Sequence, residues 1–218
     1  MSSWVPLEAN PELFSAWSTR LGLDTKRCAF HDIFGLDEEL LAMVPQPVHA
    51  VLFLFPLSAP VEARQEAEDA AYTAPACASD VLWFKQTIGN ACGTIGLLHA
   101  IANSPAAAAV QDGTPLAQLL AEARKTGPEN RVALLEQCSA LQAAHAETAG
   151  GGQTAAPDAD DPVNLHFVAF VRGSDGQLLE LDGRRPGPVG RPVPVPSEAE
   201  LLSAAAQFVQ NYYVRRMH

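Results

Sequence analysis

The stretch Cys92-Gly93-Thr94-Ile95-Gly96-Leu97-Leu98-His99-Ala100-Ile101-Ala102 constrains this chain most. Read as a helix, it is apolar on every side. A helix with no polar face has nowhere to sit except the middle of a core. The other segments must therefore wrap around it, and they are long enough to do so. A chain of 218 residues buries a large core without disulfides or metals.

The flanking segments supply the layers. Leu13, Phe14, Trp17 and Leu21 recur at helical spacing after Pro11, and Asp37 opens a short helix over 38–44 that Pro45 stops. The run Val48-His49-Ala50-Val51-Leu52-Phe53-Leu54-Phe55 ends at Pro56 and reads as a central strand buried on both faces. Residues 62–71 are alanine- and glutamate-rich and helical, and residues 81–85 form a brief strand or an extended lead-in. Thr114-Pro115 caps a helix that Gly127 ends, and Leu134, Leu135, Cys138, Leu141 and His145 mark another. Residues 146–162 are rich in glycine, proline and acid, a loop either functional or merely linking. Strands over 165–172 and 177–181 flank an Asp175-Gly176 turn, and the capping box Ser197-Glu198-Ala199-Glu200 opens a last helix through about Tyr212. Helices and strands interleave in one unit spanning 1–218, so the class is α/β or α+β.

Composition removes several function classes. Lys+Arg 14 against Asp+Glu 25 gives a net charge of −11. That balance argues against nucleic acid, whose binding needs a basic face, and against an anionic membrane surface. It favours a basic peptide or protein partner. No apolar run approaches the roughly 20 residues of a membrane span. The N-terminus carries no signal-peptide pattern, so the four cysteines (Cys28, Cys77, Cys92, Cys138) are expected to be free thiols of a cytoplasmic protein.

Cys92 is the candidate nucleophile. It stands where an extended segment meets the start of the buried helix, and amides and dipole there favour a thiolate. The small residues around it, Gly89-Asn90-Ala91 and Gly93, let a substrate backbone come close. A base must be near. His99 is seven residues away, about 10.5 Å along a helix, which is too far. His49 lies in the apolar run and reads as a core histidine, His218 is terminal, and His31 and His145 carry no distinguishing context. His166 opens a strand just after the flexible loop, where it can face a cleft mouth. Folding the hairpin at Asp175-Gly176 returns Asp182 to its side, as a carboxylate able to hold the imidazole tautomer. Gln86, six residues before Cys92, offers a side-chain amide that can join the Cys92 N–H in binding an oxyanion.

With these residues in place, the chain resembles the ubiquitin C-terminal hydrolases, papain-like thiol peptidases of the small single-domain type. Gln86-Thr87-Ile88-Gly89-Asn90-Ala91-Cys92-Gly93-Thr94-Ile95-Gly96 is similar to that family's nucleophile motif, and Leu165-His166-Phe167-Val168-Ala169 and Glu180-Leu181-Asp182-Gly183-Arg184 to its base and acid blocks. The segments 4–12, 32–36 and 43–48 resemble further blocks of the family. The papain signature itself is absent.

The resemblance implies a central antiparallel sheet flanked by helices, a knotted backbone, and a 146–162 loop crossing the cleft as a size filter. It implies cleavage of small or unfolded adducts from the C-terminal glycine of ubiquitin, with Nedd8 as an alternative substrate. The route is a Cys92-His166-Asp182 triad and a thioester, with no metal or organic cofactor and a monomeric enzyme. Leu7 and Leu165 would meet ubiquitin's apolar patch, and Glu8, Glu12 and Asp32 its basic tail. Two other readings stay open: a catalytically weak ubiquitin-binding module, and an ordinary papain-like peptidase.

Overall fold

The computed structural model describes residues 3–152 and 164–215. Helix α1 (Pro11–Leu21) is capped by the Asn10 side chain and closed by left-handed Gly22, and the single turn α2 (Glu38–Leu41) is capped by Asp37. Strand β1 (Val51–Pro56) and helix α3 (Ala59–Ala70) follow. The apolar stretch forms α4 (Cys92–Ala102), and all eleven of its residues are buried. Helices α5 (Pro115–Lys125), α6 (Pro128–Gln137) and α7 (Ser139–Ala149) come next. The chain then forms β2 (Leu165–Arg172), β3 (Gln177–Leu181), β4 (Val189–Pro194) and α8 (Leu201–Val209). Among the described residues, no helix is long and apolar enough to cross a membrane.

The four strands form one sheet in the order β1-β2-β3-β4, and every pairing is antiparallel. The architecture is therefore α+β, with a helix layer on each face. Phe167, Ala169 and Val171 of β2 point to the α4 side, while Val168 and Phe170 point to the α8 side. Gly96 lets α4 come down on the sheet: a Cβ there would lie 3.2 Å from the Leu52 side chain and 3.6 Å from Phe167 Cβ.

Several sequence expectations shift. The apolar run at 48–55 yields the edge strand β1, not a central one, and Leu52, Phe53 and Leu54 are only half-buried. A continuous apolar run reports cover on both faces and says nothing about neighbours on both edges. His49 precedes the strand and is partly exposed, 3.6 Å from a Glu198 carboxylate oxygen, so it is no core histidine. The helix expected around Leu134–His145 is two, broken at Cys138, and Gly127 starts α6 where it was expected to end α5. Helix α7 runs to Ala149, so a loop cannot begin at residue 146. The remainder of the expected 146–162 crossover from residue 153 onward lies outside the described residues.

Candidate active site

The segment entering α4 is extended but pairs with no strand. Side chains, the Gly183 turn and the N-terminal segment, whose Trp4 N–H donates to the Gly89 carbonyl at 2.9 Å, pair with its backbone instead. Asn103 receives the Leu82 N–H (2.7 Å) and donates to the Leu82 carbonyl (3.0 Å). Arg131 donates to the Trp83 carbonyl (3.0 Å), and the Phe84 N–H donates to His99 Nε2 (2.9 Å). The Gln86 N–H donates to the Gly183 carbonyl (2.9 Å). The chain then turns through Asn90, a non-glycine residue at φ 59°, and enters the helix at Cys92. Asparagine tolerates that left-handed conformation, and residues held in it cluster at functional sites. Ala91, the N-cap residue, makes no side-chain cap. The first-turn N–H groups of α4, that of Cys92 included, thus have no intrahelical acceptor.

His166 and Asp182 come together as the hairpin predicts. His166 Nε2 and Asp182 Oδ1 are 2.7 Å apart, and the two side chains are 3% and 1% exposed. Asp182 Oδ1 also accepts the Arg184 N–H at 2.8 Å, and Trp83 Nε1 donates to the Asp182 carbonyl at 3.0 Å. Burial alone would raise the Asp182 carboxyl; the hydrogen bond and charge of His166 overcome it and hold the carboxyl below its ordinary value. Burial alone would lower His166. The hydrogen bond and charge of Asp182, with those of Cys92, outweigh it and push the imidazole up to about 9. With Nε2 committed to Asp182, Nδ1 is the nitrogen left for a second partner, and Cys92 is close enough to help raise the imidazole. A thiol at a helix N-terminus beside an imidazolium held by a buried carboxylate can act as a nucleophile toward a carbonyl.

Gln86 stands at the same place. Its Nε2 donates to the Ile88 carbonyl at 3.3 Å and keeps a second N–H. The other histidines are accounted for differently. Burial pushes His99 down to about 4, and its ring accepts from Phe84. His145 is a residue whose role the sequence did not reveal. It is buried, with Nε2 donating to the Val5 carbonyl (2.6 Å) and Nδ1 accepting from the Thr94 hydroxyl (2.8 Å). It ties the N-terminal segment to the first turn of α4, and burial pushes it, too, down to about 4.

The expected partner-contacting residues divide. Leu7 is 5% exposed and packed over Gly93, one residue beyond Cys92. Leu165 is 47% exposed. Glu12 and Asp32 are exposed and Glu8 is half-buried beside the Asn10 amide. Asp32 lines a groove of about 700 Å³ together with Phe30, Phe34 and Leu54. Phe34 and Met43 are exposed large apolar side chains that periodicity could not single out. The cysteines are free thiols, and no group of three or more His, Cys, Asp or Glu among the described residues could hold a metal.

Comparison with known proteins follows this geometry. The sequence profile of ubiquitin carboxyl-terminal hydrolase, family 1, matches residues 4–213. The chain belongs to that family. Ubiquitin carboxyl-terminal hydrolase isozyme L1 of Sus scrofa is 42% identical over 210 residues, spanning 96% of this chain and 91% of the relative. The Homo sapiens isozyme L1 is 41% identical over the same shares. The crystal structure of the Trichinella spiralis UCH37 catalytic domain bound to ubiquitin vinyl methyl ester superposes with a TM-score of 0.72. It is 21% identical, over 98% of this chain and 89% of that one, and shows the shared fold. The family hydrolyses with a cysteine, which sets the buried His166–Asp182 pair and Cys92 in their chemical context.

Proposed function

We propose that this chain hydrolyses the bond after the C-terminal carbonyl of ubiquitin and releases small or unfolded adducts, with Cys92 as nucleophile. One observation carries the reading: a buried 2.7 Å His166–Asp182 pair, with a cysteine as the first residue of the buried helix α4. Cys92, its proton held by His166 Nδ1, attacks the carbonyl carbon. The oxyanion is received by the Cys92 N–H and the free N–H of Gln86. Collapse expels the amine or thiol, which takes the proton from His166, and leaves a thioester. His166 then takes a proton from water as it attacks, and the thiolate departs from ubiquitin's new carboxylate. Asp182 keeps the ring oriented and stabilises its charge.

Leu165, Glu8, Glu12 and Asp32 form the recognition side of this proposal, with the acids facing ubiquitin's basic tail. The enzyme acts as a monomer in the cytoplasm or nucleus, and Nedd8 is the substrate to compare. A second reading, a catalytically weak ubiquitin-binding module, draws on the Gln86 amide being engaged with the Ile88 carbonyl. The deciding experiment is incubation with ubiquitin carrying an electrophilic C-terminus. Covalent capture at Cys92 together with turnover of a fluorogenic ubiquitin adduct supports the hydrolase. Binding without capture supports the module, and no interaction overturns both.

A further inference from the structure

Outside the site lies a buried cluster of charge and aromatic rings that the chemistry above does not use. After α8 the chain makes a π-helical turn, Gln210–Val214, closed by the Arg215 N–H on the Gln210 carbonyl at 3.0 Å. A π-turn holds one more residue than an α-turn, and such turns are frequent at functional sites. This one buries two consecutive tyrosines. The Tyr212 hydroxyl donates to Glu68 (2.6 Å), and its ring lies under the Arg64 and Arg191 guanidiniums (3.8 and 4.5 Å). Tyr213, fully buried, donates its hydroxyl to Glu180 Oε1 at 2.9 Å. Glu180 is itself fully buried and fixed on its other oxygen by Arg191 Nε at 2.9 Å.

The other end of Tyr213 leads to the site. Its ring centroid is 4.6 Å from that of Phe55 and 5.0 Å from that of Phe53. Phe55 pairs across the sheet with His166, and the two rings meet edge to face at 88°, 5.8 Å between centroids. Phe55 is fully buried, so its ring cannot withdraw from His166 unless the ring behind it moves. Glu180, which holds the Tyr213 hydroxyl, stands on β3 two residues before Asp182, which follows the strand. Tyr213 is thus fastened between the neighbour of the imidazole and the neighbour of its carboxylate.

We infer that Tyr213 is a positioning residue for His166: packed at a tilt of 47° against Phe55 and anchored by Glu180, it fixes the imidazole plane against Asp182 and Cys92. The inference rests on the proposed roles of Cys92 and His166. The effect is orientational, and small displacements of a reacting group cost rate steeply.

The test compares Tyr213→Leu, which removes ring and hydroxyl, with Tyr213→Phe, which keeps the ring, and with the control Tyr212→Phe in the same cluster. Steady-state turnover of ubiquitin with a fluorogenic C-terminal group is read beside the His166 imidazole titration by NMR without substrate. Folded protein is confirmed by thermal denaturation. In Tyr213→Leu, kcat is expected to fall about tenfold or more with KM within about twofold, an orientation loss rather than a binding loss. The His166 titration moves toward its free value. Tyr213→Phe falls less, about threefold, with a smaller move in the same direction. Tyr212→Phe changes the melting temperature but neither kcat nor the titration. An unmoved His166 titration and unchanged kcat in folded Tyr213→Leu overturn the inference. If that variant does not fold, the same two readings in Tyr213→Phe decide it. A wild-type enzyme inert toward the ubiquitin probe overturns the proposed function instead, and the titration then decides Tyr213 alone.

Discussion

The Gln86 backbone N–H donates to the Gly183 carbonyl at 2.9 Å, joining the segment before α4 to the turn that carries Asp182. One hydrogen bond thus sets the proposed oxyanion donor relative to the carboxylate that holds His166. A Cβ at Gly183 would lie 2.9 Å from Gln86 Cβ, closer than real Cβ contacts come, and 3.0 Å from Gln86 N, tighter than nearly all of them. Gly183→Ala is therefore expected to push Gln86 and Asp182 apart. It should lower kcat by about 10- to 100-fold with a smaller change in KM, measured on a fluorogenic ubiquitin adduct.

Direct removal of the reacting groups gives a graded series. Cys92→Ser and His166→Ala should nearly abolish turnover while ubiquitin still binds, measured by calorimetry beside steady-state rates. Asp182→Asn should cost orders of magnitude in kcat through the wrong tautomer. Gln86→Ala should cost about 10²–10³ in kcat if its amide receives the oxyanion. Wild-type kcat in Gln86→Ala would remove that role and leave the Cys92 amide alone.

The His166–Asp182 pair makes stability depend on pH in a fixed direction. His166 is raised from 6.5 to about 9, with Asp182 the largest cause acting upward against burial. A raised folded-state value stabilises fully below about 6.5, and the contribution is lost as pH rises through about 9. The melting temperature should decline over that window in the wild type and decline less in Asp182→Asn. Turnover should fall on the same alkaline limb as the imidazolium is lost.

His145 and His99 act with the opposite sign. Burial lowers each from 6.5 to about 4, so the unfolded chain binds protons first as pH falls, and stability drops between those values. Protonating His145 Nδ1 also removes the acceptor of the Thr94 hydroxyl. The amides of residues 4–9 should lose hydrogen-exchange protection before the sheet does as pH falls toward 4. His145→Gln should show that loss already at neutral pH.

Asp32→Lys should weaken ubiquitin association and reduce its salt dependence, because screening acts on exposed charges. Stopped-flow association at low and high salt measures this. Equal rates at both, with an unaffected variant, would mean that the acidity serves solubility.

The class of the fold and the pairing of His166 with Asp182 were both legible in the sequence. Cys92, His166 and Asp182 each carry a local signal: a helix start, a strand start after a loop, a residue just past a hairpin. The Asp175-Gly176 turn sets their register. The place of β1 was not legible, because apolar residues respond to cover by helices on both faces whether or not a strand lies on each side. The segment at 81–85 was ambiguous for a related reason: its hydrogen bonds go to Asn103, Arg131 and His99, each far along the chain. The burial of Leu7 was not legible, because an apolar residue near a terminus reads the same whether or not it packs on Gly93. Tyr213 carried no signal at all, since nothing local marks a π-turn or a buried glutamate as its anchor.

Helix α4 has no solvent face, and Cys92 is its first residue. Most helices can absorb change on an outer side while keeping an inner one; this one cannot, so every side chain along it is already spoken for by a neighbour. A variant meant to retune the nucleophile by altering the helix that bears it would disturb the packing of the core first. Adaptation to a different leaving group must therefore come from exposed positions on the chain around the start of α4, such as Ser3, Thr87 and Arg184, where residues can change without unpacking the rod beneath them.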